Sequence, residues 1–569
     1  MGKFDSSLES INQAEFEIQT LKSALLKERT TKRFAPFQKR DFPALVKTLH
    51  KYNADLKYFK ATNSFSKGNL EQAIDYSSQS LILYEALKDN SGAASCHNTL
   101  GVFHAAKGNF SEALTHYQYA HTLLENMGNK RQAFKVLNNI ALIYWRQGEL
   151  NQALEYLEQI ASLYKEVDDS YHLARTLTNI AHLYWDLGDQ DRAFDFLKQS
   201  LKLKEGIGNL HSIANTLFSL IRVCVSNNDI DLANNYFEQL QQIAEQEQTK
   251  YIHQANRLAQ ALLLKTSSRR VQKAKAQQIF QEITQEEIVE HELTELAFLS
   301  LCDLLLDELR ESNDPEALEE INGYIQKLHE IAETQHSYSM LAEIHIIEAK
   351  LALLELNIQS ARQSLTQAQA LAEEKGLRKL AIRISNEHDQ VLDQIRRWEE
   401  LNEEKSSLTE RIALAQLDND IDYLLRQRPT DLPKVTEEEP VLFLILDRGG
   451  LSVFSKNFMS DKEVDDSLIG GFLTAIQSFS TTIFAQGLDR IKLKEYTLLM
   501  EVEEHFQLCY VFKGQTYAAK QRLKQFLKDL QQNDLIWKGM LRFIEAGLSL
   551  DKAVQTSLEE LLIKHICSG

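Results

Sequence analysis

Residues 133–148 read Ala-Phe-Lys-Val-Leu-Asn-Asn-Ile-Ala-Leu-Ile-Tyr-Trp-Arg-Gln-Gly, and forty residues on, 173–188 read Leu-Ala-Arg-Thr-Leu-Thr-Asn-Ile-Ala-His-Leu-Tyr-Trp-Asp-Leu-Gly. The echo extends in both directions. A small-residue column runs through Ala61, Gly101, Ala141 and Ala181, ending in Ile221. Seven positions later come Gly68, Gly108, Gly148, Gly188 and Asn228, and five beyond those Ala73, Ala113, Ala153, Ala193 and Ala233. An aromatic or histidine column follows in Tyr76, His116, Tyr156, Phe196 and Tyr236. Four columns in register over five copies identify a repeat, the signature of stacked supersecondary units.

Each column has a mechanical reason. The small residue lets one helix approach its partner. The glycine follows that helix where the chain turns through a left-handed conformation, and Asn228 is the next most tolerant residue there. The alanine begins a second helix at its closest crossing. Leu137, Ile140, Leu177, Ile180 and Leu183 recur at helical spacing and fill the space between pairs. One such pair cannot bury its own apolar face, so the copies are expected to stack into a solenoid.

In these columns the chain resembles the tetratricopeptide repeat family, over about residues 55–245. The 40-residue period is similar to the long-helix variety of kinesin light chains and bacterial peptide-sensing regulators. The resemblance implies a mainly α protein with a right-handed solenoid. Residues 1–54 read as an N-terminal helical segment, and 246–376 as degenerate helical repeats in which Asn357 and Ala361 keep the turn-then-alanine signature. Residues 377–428 lack Gly and Pro and predict one or two long helices, capping the solenoid or forming a coiled-coil contact.

Composition sets the limits. The chain has 569 residues, enough for several packed units, and is 43% hydrophobic and 25% charged. Only 6 prolines and 21 glycines exclude an all-β or linker-dominated chain. A net charge of -18 argues against a general nucleic-acid binder. Five dispersed cysteines without a CxxC pair suit a reducing, cytoplasmic setting. No secretory signal is read, and the longest apolar run, Val441 to Leu446, is too short to span a bilayer. Two features bear on membrane contact: a loose acylation pattern at Gly2 with Ser6, and a basic cluster of Lys27, Arg29, Lys32, Arg33, Lys39 and Arg40, which also reads as a solvated helix end.

Pro429, Pro433 and Pro440 beside Glu437–Glu439 mark residues 429–440 as a linker. Beyond it the period changes. Val441–Leu446 and Leu451–Phe458 read as a hairpin around Asp447-Arg448-Gly449-Gly450, and Ser467–Phe484 as a helix. Arg490–Glu495, Tyr496–Glu503 and Phe506–Phe512 read as strands, Thr516–Leu530 as a helix and 535–569 as one or two more. The order in 441–534 resembles the longin and roadblock superfamily of small α+β adaptor domains. That resemblance implies a protein partner, a GTPase-type or trafficking regulator or a second copy, and no chemistry.

No catalytic constellation, cofactor motif or metal motif is read. His291-Glu292 and His329-Glu330 begin zincin-like patterns, but Glu295 and Glu333 stand where the second His belongs, so both read as acidic helix faces. The functional residues are expected on the first helix of each repeat. Lys135, Asn139 and Leu142 share one face, with Asn138 beside them, and Arg175, Asn179 and His182 share the corresponding face forty residues on. Trp145, Trp185 and Arg222 complete the set. A carboxamide both donates and accepts, as a peptide main chain requires, and Lys or Arg suits a carboxylate. The family resemblance implies that such asparagines hold a peptide's main chain. The same asparagines also read as bridges between helices, and the tryptophans as inter-repeat core. The leading reading is a non-enzymatic adaptor with a peptide in the groove and a second protein on the C-terminal domain. The alternative is a sensor whose solenoid changes shape on binding.

Overall fold

Helical pairs fill the chain from Asp41 to Arg426 in the computed structural model. It describes residues 41–567 except 68, 248, 313–314, 404–405, 427–437, 448–450, 459–489, 494, 504 and 547–549. Gly2, the basic cluster at 27–40, Gly68, most of the 429–440 linker and the expected helix Ser467–Phe484 lie outside the described residues.

The regular repeats are α1 (Asp41–Ser66) with α2 (Leu70–Leu87), α3 (Asn90–Ala106) with α4 (Phe110–Asn126), and α5 (Lys130–Arg146) with α6 (Leu150–Glu166). Then come α7 (Ser170–Asp186) with α8 (Gln190–Ile207) and α9 (Leu210–Ser226) with α10 (Ile230–Gln246). Within pairs the chain turns at Gly108, Gly148, Gly188 and Asn228, with φ of 79°, 78°, 76° and 59°. Between pairs it turns at Lys88, Gly128, Asp168 and Gly208, with φ of 55°, 70°, 53° and 78°. Asp89, Asn129, Asp169 and Asn209 then cap α3, α5, α7 and α9, their side chains accepting from the backbone N–H of Gly92, Gln132, His172 and Ser212. Ala73, Ala113, Ala153, Ala193 and Ala233 are all fully buried. Gly101 is small because the Tyr117 ring lies over it; a Cβ there would sit 2.5 Å from the ring.

The pairing continues without glycine columns through α11 (Lys250–Lys265), α12 (Arg270–Gln285), α13 (His291–Ser312), α14 (Pro315–Thr334), α15 (Tyr338–Leu354), α16 (Ile358–Glu374) and α17 (Arg378–Asp393). At the degenerate signature Leu356 takes the left-handed turn (φ 61°), Asn357 caps α16 through the Ser360 N–H, and Ala361 is fully buried. Residues 377–428 differ from the expected one or two long helices. Instead α17 is followed by three short ones, α18 (Ile395–Glu403), α19 (Leu408–Ala415) and α20 (Leu417–Arg426). A Ser407–Glu410 capping box starts α19, and Gln416 at φ 54° ends it, so breaks arise without Gly or Pro. Helices α19 and α20 turn back onto α13 and α15.

The superhelix also meets itself. The Tyr338 hydroxyl at the start of α15 donates to the Lys107 carbonyl after α3, at 3.1 Å. One repeat further, Lys379 lies against Gly148 and Gly376 against the Gln147 amide.

The C-terminal unit is a five-stranded antiparallel sheet of β1 (Glu439–Asp447), β2 (Ser452–Asn457), β3 (Arg490–Leu493), β4 (Tyr496–Val502) and β5 (Phe506–Lys513), in the order β2-β1-β5-β4-β3. Phe443, Ile445, Leu508, Tyr510 and Phe512 on one face pack against α21 (Thr516–Gln532), α22 (Asp534–Ala546) and α23 (Lys552–Leu562). The sheet docks on α17. Asp389 accepts from the Thr516 hydroxyl (2.7 Å) and backbone N–H (3.3 Å) and pairs with the buried Arg490 (3.2 Å). Lys524 adds an ion pair to Glu373.

Candidate functional site

Helices α3, α5, α7 and α9 are the inner members of their pairs. They are more deeply buried than α4, α6, α8 and α10, and neighbours among them touch through polar side chains. The Asn139 amide donates to Asn98 Oδ1 at 3.0 Å, and the Asn179 amide to Asn138 Oδ1 at 3.5 Å. Two consecutive repeat junctions thus carry the same amide-to-amide contact, with all three of Asn138, Asn139 and Asn179 half-buried. Each contact uses one donor and one acceptor; the chemistry of a carboxamide supplies a second N–H and further lone pairs. Bridging the helices and presenting hydrogen-bonding groups are therefore compatible roles.

Lys135 and Arg175 stand exposed four residues before Asn139 and Asn179, and Leu142 is half-buried beyond Asn139. The next turn is more enclosed. The Trp145 indole N–H donates to Asp186 Oδ2 at 2.5 Å, tying α5 to the end of α7. Trp185 is 6% exposed, with the Arg222 guanidinium 5.5 Å from its ring centroid. Arg222 also pairs with Glu292 of α13 at 2.6 Å. His182 Nε2 lies 3.3 Å from Ser219 Oγ. That serine donates to the Asn215 carbonyl at 3.2 Å, so toward His182 it is an acceptor and not an activated nucleophile. Burial holds the His182 imidazole below its ordinary range.

Two groups here escaped the sequence reading. Burial pushes the Asp186 carboxyl up to about 7, although the Trp145 bond and Arg222 pull it down. Its Oδ1 and the Trp185 indole N–H are buried with no hydrogen-bond partner. Only the position of Asp186 after the Tyr184-Trp185 pair, repeated at Tyr144-Trp145-Arg146, could have flagged it. The second is α20, whose Asp420 accepts from Arg383 NH2 at 2.5 Å and pairs with Lys350 at 2.5 Å. Arg383 also donates to Glu343 at 2.6 Å, and lies 4.3 Å from the Tyr423 ring centroid. Burial pushes Glu343 up to about 7 against the pull of Arg383. Thus the inner face of α13, α15 and α17 is covered by the chain's own helix, while that of α3 to α9 bears the amides.

The four cysteines whose side chains are described are held as thiols. Cys96, Cys224, Cys302 and Cys509 are buried and unpaired, and burial pushes Cys96 up to about 11 and Cys224 and Cys509 up to about 12. No helix among the described residues is long and apolar enough to cross a membrane.

Comparison with known proteins fits this architecture. Residues 54–396 match the model of the MalT-like TPR region. No curated protein matches the chain. Among solved structures it is similar to the apo form of RapI, at 15% identity and a TM-score of 0.38 over 51% of this chain and 97% of that one. A Rap protein complexed with Competence and Sporulation Factor gives 15% and 0.37 over 58% and 99%. The apo quorum sensor NprR from B. thuringiensis gives 16% and 0.40 over 57% and 97%. The chain belongs to the MalT-like TPR family.

Proposed function

We propose that this TPR protein is a non-catalytic peptide-binding adaptor whose inner face along α3, α5, α7 and α9 holds a segment of a partner protein. The observation that carries the reading is the repeated amide contact, Asn98–Asn139 and Asn138–Asn179, flanked on the same faces by exposed Lys135 and Arg175. The remaining donors and acceptors of Asn138, Asn139 and Asn179 meet the partner's main chain. Lys135 and Arg175 attract an acidic side chain or a terminal carboxylate. Leu142, Trp145, His182, Trp185 and Arg222 form the more enclosed end, where Trp185 and Asp186 keep unpartnered polar atoms. The C-terminal sheet is the second docking unit, for a GTPase-type partner or a second copy, by its longin- and roadblock-like element order.

The test uses the full chain and a fluorescent library of peptides with free or amidated C-termini. The Lys135→Glu/Arg175→Glu double variant should lose at least ~10-fold in affinity for acidic, free-carboxylate peptides. Its melting temperature should stay put, because both side chains are exposed. Equal binding by variant and wild type removes the groove assignment.

A second reading, a sensor that changes curvature, draws on the Tyr338–Lys107 closure and on α20 lying over α13 and α15. Small-angle scattering with and without a bound peptide separates the two. A change in radius of gyration favours the sensor, and an unchanged curve the adaptor.

A further inference from the structure

Between α14 and α15, away from the amide ladder, two imidazoles converge on one carboxylate. His329 Nδ1 of α14 lies 2.9 Å from Glu348 Oε1, and His345 Nδ1 of α15 lies 2.7 Å from Glu348 Oε2. Among the described residues this is the one group of three or more His, Cys, Asp or Glu whose donor atoms all lie within 4.8 Å of one another. The histidine cluster on α3 and α4 is unlike it. There His97 and His116 bring their Nδ1 atoms to 3.0 Å, with His104 stacked beside His116, and no carboxylate completes the set.

We propose that His329, His345 and Glu348 bind one divalent transition-metal ion of the zinc type. Two imidazole nitrogens and a carboxylate oxygen are the three-ligand donor set that leaves a fourth tetrahedral position for water. Two imidazoles also disfavour the hard cations Mg²⁺ and Ca²⁺, which take oxygen ligands. Bonds of about 2.0–2.1 Å at a tetrahedral centre set neighbouring donors roughly 3.4 Å apart. The His329 contact to Oε1 (2.9 Å) and the His345 contact to Oε2 (2.7 Å) fall about 0.5 and 0.7 Å short of that spacing, a gap that small side-chain rotations close as the ion takes the place of the shared protons.

The outer shell is half built already. Once His329 ligates through Nδ1, its proton resides on Nε2, and Glu333 Oε1 lies 3.5 Å from that atom. A carboxylate behind a ligating imidazole fixes its tautomer and orientation. The site is reachable, with His345 13%, His329 25% and Glu348 28% exposed. The sequence reads His329-Glu330 as an acidic helix face because Glu333 occupies the place of a second histidine on α14. That histidine is supplied by the next helix, and the glutamate stands behind the first. An ion here would staple two consecutive helix pairs.

The experiment strips the full chain with chelator, then titrates Co²⁺ by visible absorption and Zn²⁺ by calorimetry. One equivalent with tetrahedral Co²⁺ bands is expected, with a higher melting temperature in Zn²⁺. His329→Ala/His345→Ala should abolish both, and Glu348→Gln, which preserves shape, should weaken binding at least ~10-fold. Glu333→Gln should cost roughly 10–100-fold while stoichiometry stays at one. Circular dichroism of the metal-free variants checks that they fold. A stripped wild-type chain that takes up neither ion overturns the proposal, whatever the variants do. So does binding of unchanged affinity in the double-histidine variant, which would place the metal on other donors.

Discussion

The inner faces of the two halves of the solenoid handle polarity in opposite ways. From α3 to α7 neutral amides touch across the repeat junctions, with exposed Lys135 and Arg175 on the same helices. From α13 to α17 they are nearly buried ionisable groups: Asp420 from α20 pairs with Lys350 and Arg383, and Arg383 in turn pairs with Glu343. One scaffold of paired helices thus accommodates an open polar face or a covered ionic one. What decides is whether the chain's own later segment returns to it.

The sharpest way to break this contrast is Asp420→Ala. Removing the shared carboxylate leaves Arg383 and Lys350 buried without their common partner, at a cost of ~3–5 kcal/mol. Chemical denaturation should show that loss, and limited proteolysis should show earlier cleavage around residues 404–426. A variant as stable as wild type would mean that α20 is not held by these charges.

A smaller effect is expected in the open half from Gly101→Ala. The new methyl meets the Tyr117 ring at 2.5 Å and forces α3 and α4 apart, costing ~1–3 kcal/mol. Tyr117→Leu in the same chain should recover part of it. Additive losses in the double variant would show that the ring is not the obstacle.

The gentlest test is of pH. The Asp186 carboxyl is raised from 3.8 to about 7 on folding, chiefly by burial, so between those values the native chain holds more proton than the unfolded one. Its contribution therefore makes stability fall as pH rises from about 4 to about 7, with no further change above. Asp186→Asn should flatten that part of the urea-midpoint profile. An unaltered slope would assign the proton elsewhere.

Much of the regular half was legible because each column has one mechanical cause. The Gly108, Gly148, Gly188 and Asn228 column marks a left-handed turn, and all four positions adopt it. The second turn column went unread because it mixes Lys88, Gly128, Asp168 and Gly208, and only two of these advertise the conformation. Its companion, the Asp89, Asn129, Asp169 and Asn209 caps, shares the same period and was available in the sequence. The breaks around α18 to α20 rest on a Ser–Glu box and a left-handed Gln416, signals too common to stand out. For the candidate site, helical spacing set Lys135 on the face of Asn139. It carried no information on the reach of Asn139 to Asn98 or of Trp145 to Asp186, since those contacts depend on how adjacent repeats are offset. Nor could it foresee α20 returning to the interior, because Asp420 becomes meaningful only beside Arg383 and Lys350.

The Tyr338–Lys107 bond joins residues 231 positions apart. In an open array each unit leans only on its neighbours, so the ends fray and melting proceeds piecemeal along the stack. A superhelix fastened to itself in this way links the fate of its early and late members. Its melting should approach a single all-or-none transition, and hydrogen exchange in α3 should slow or quicken together with that in α15.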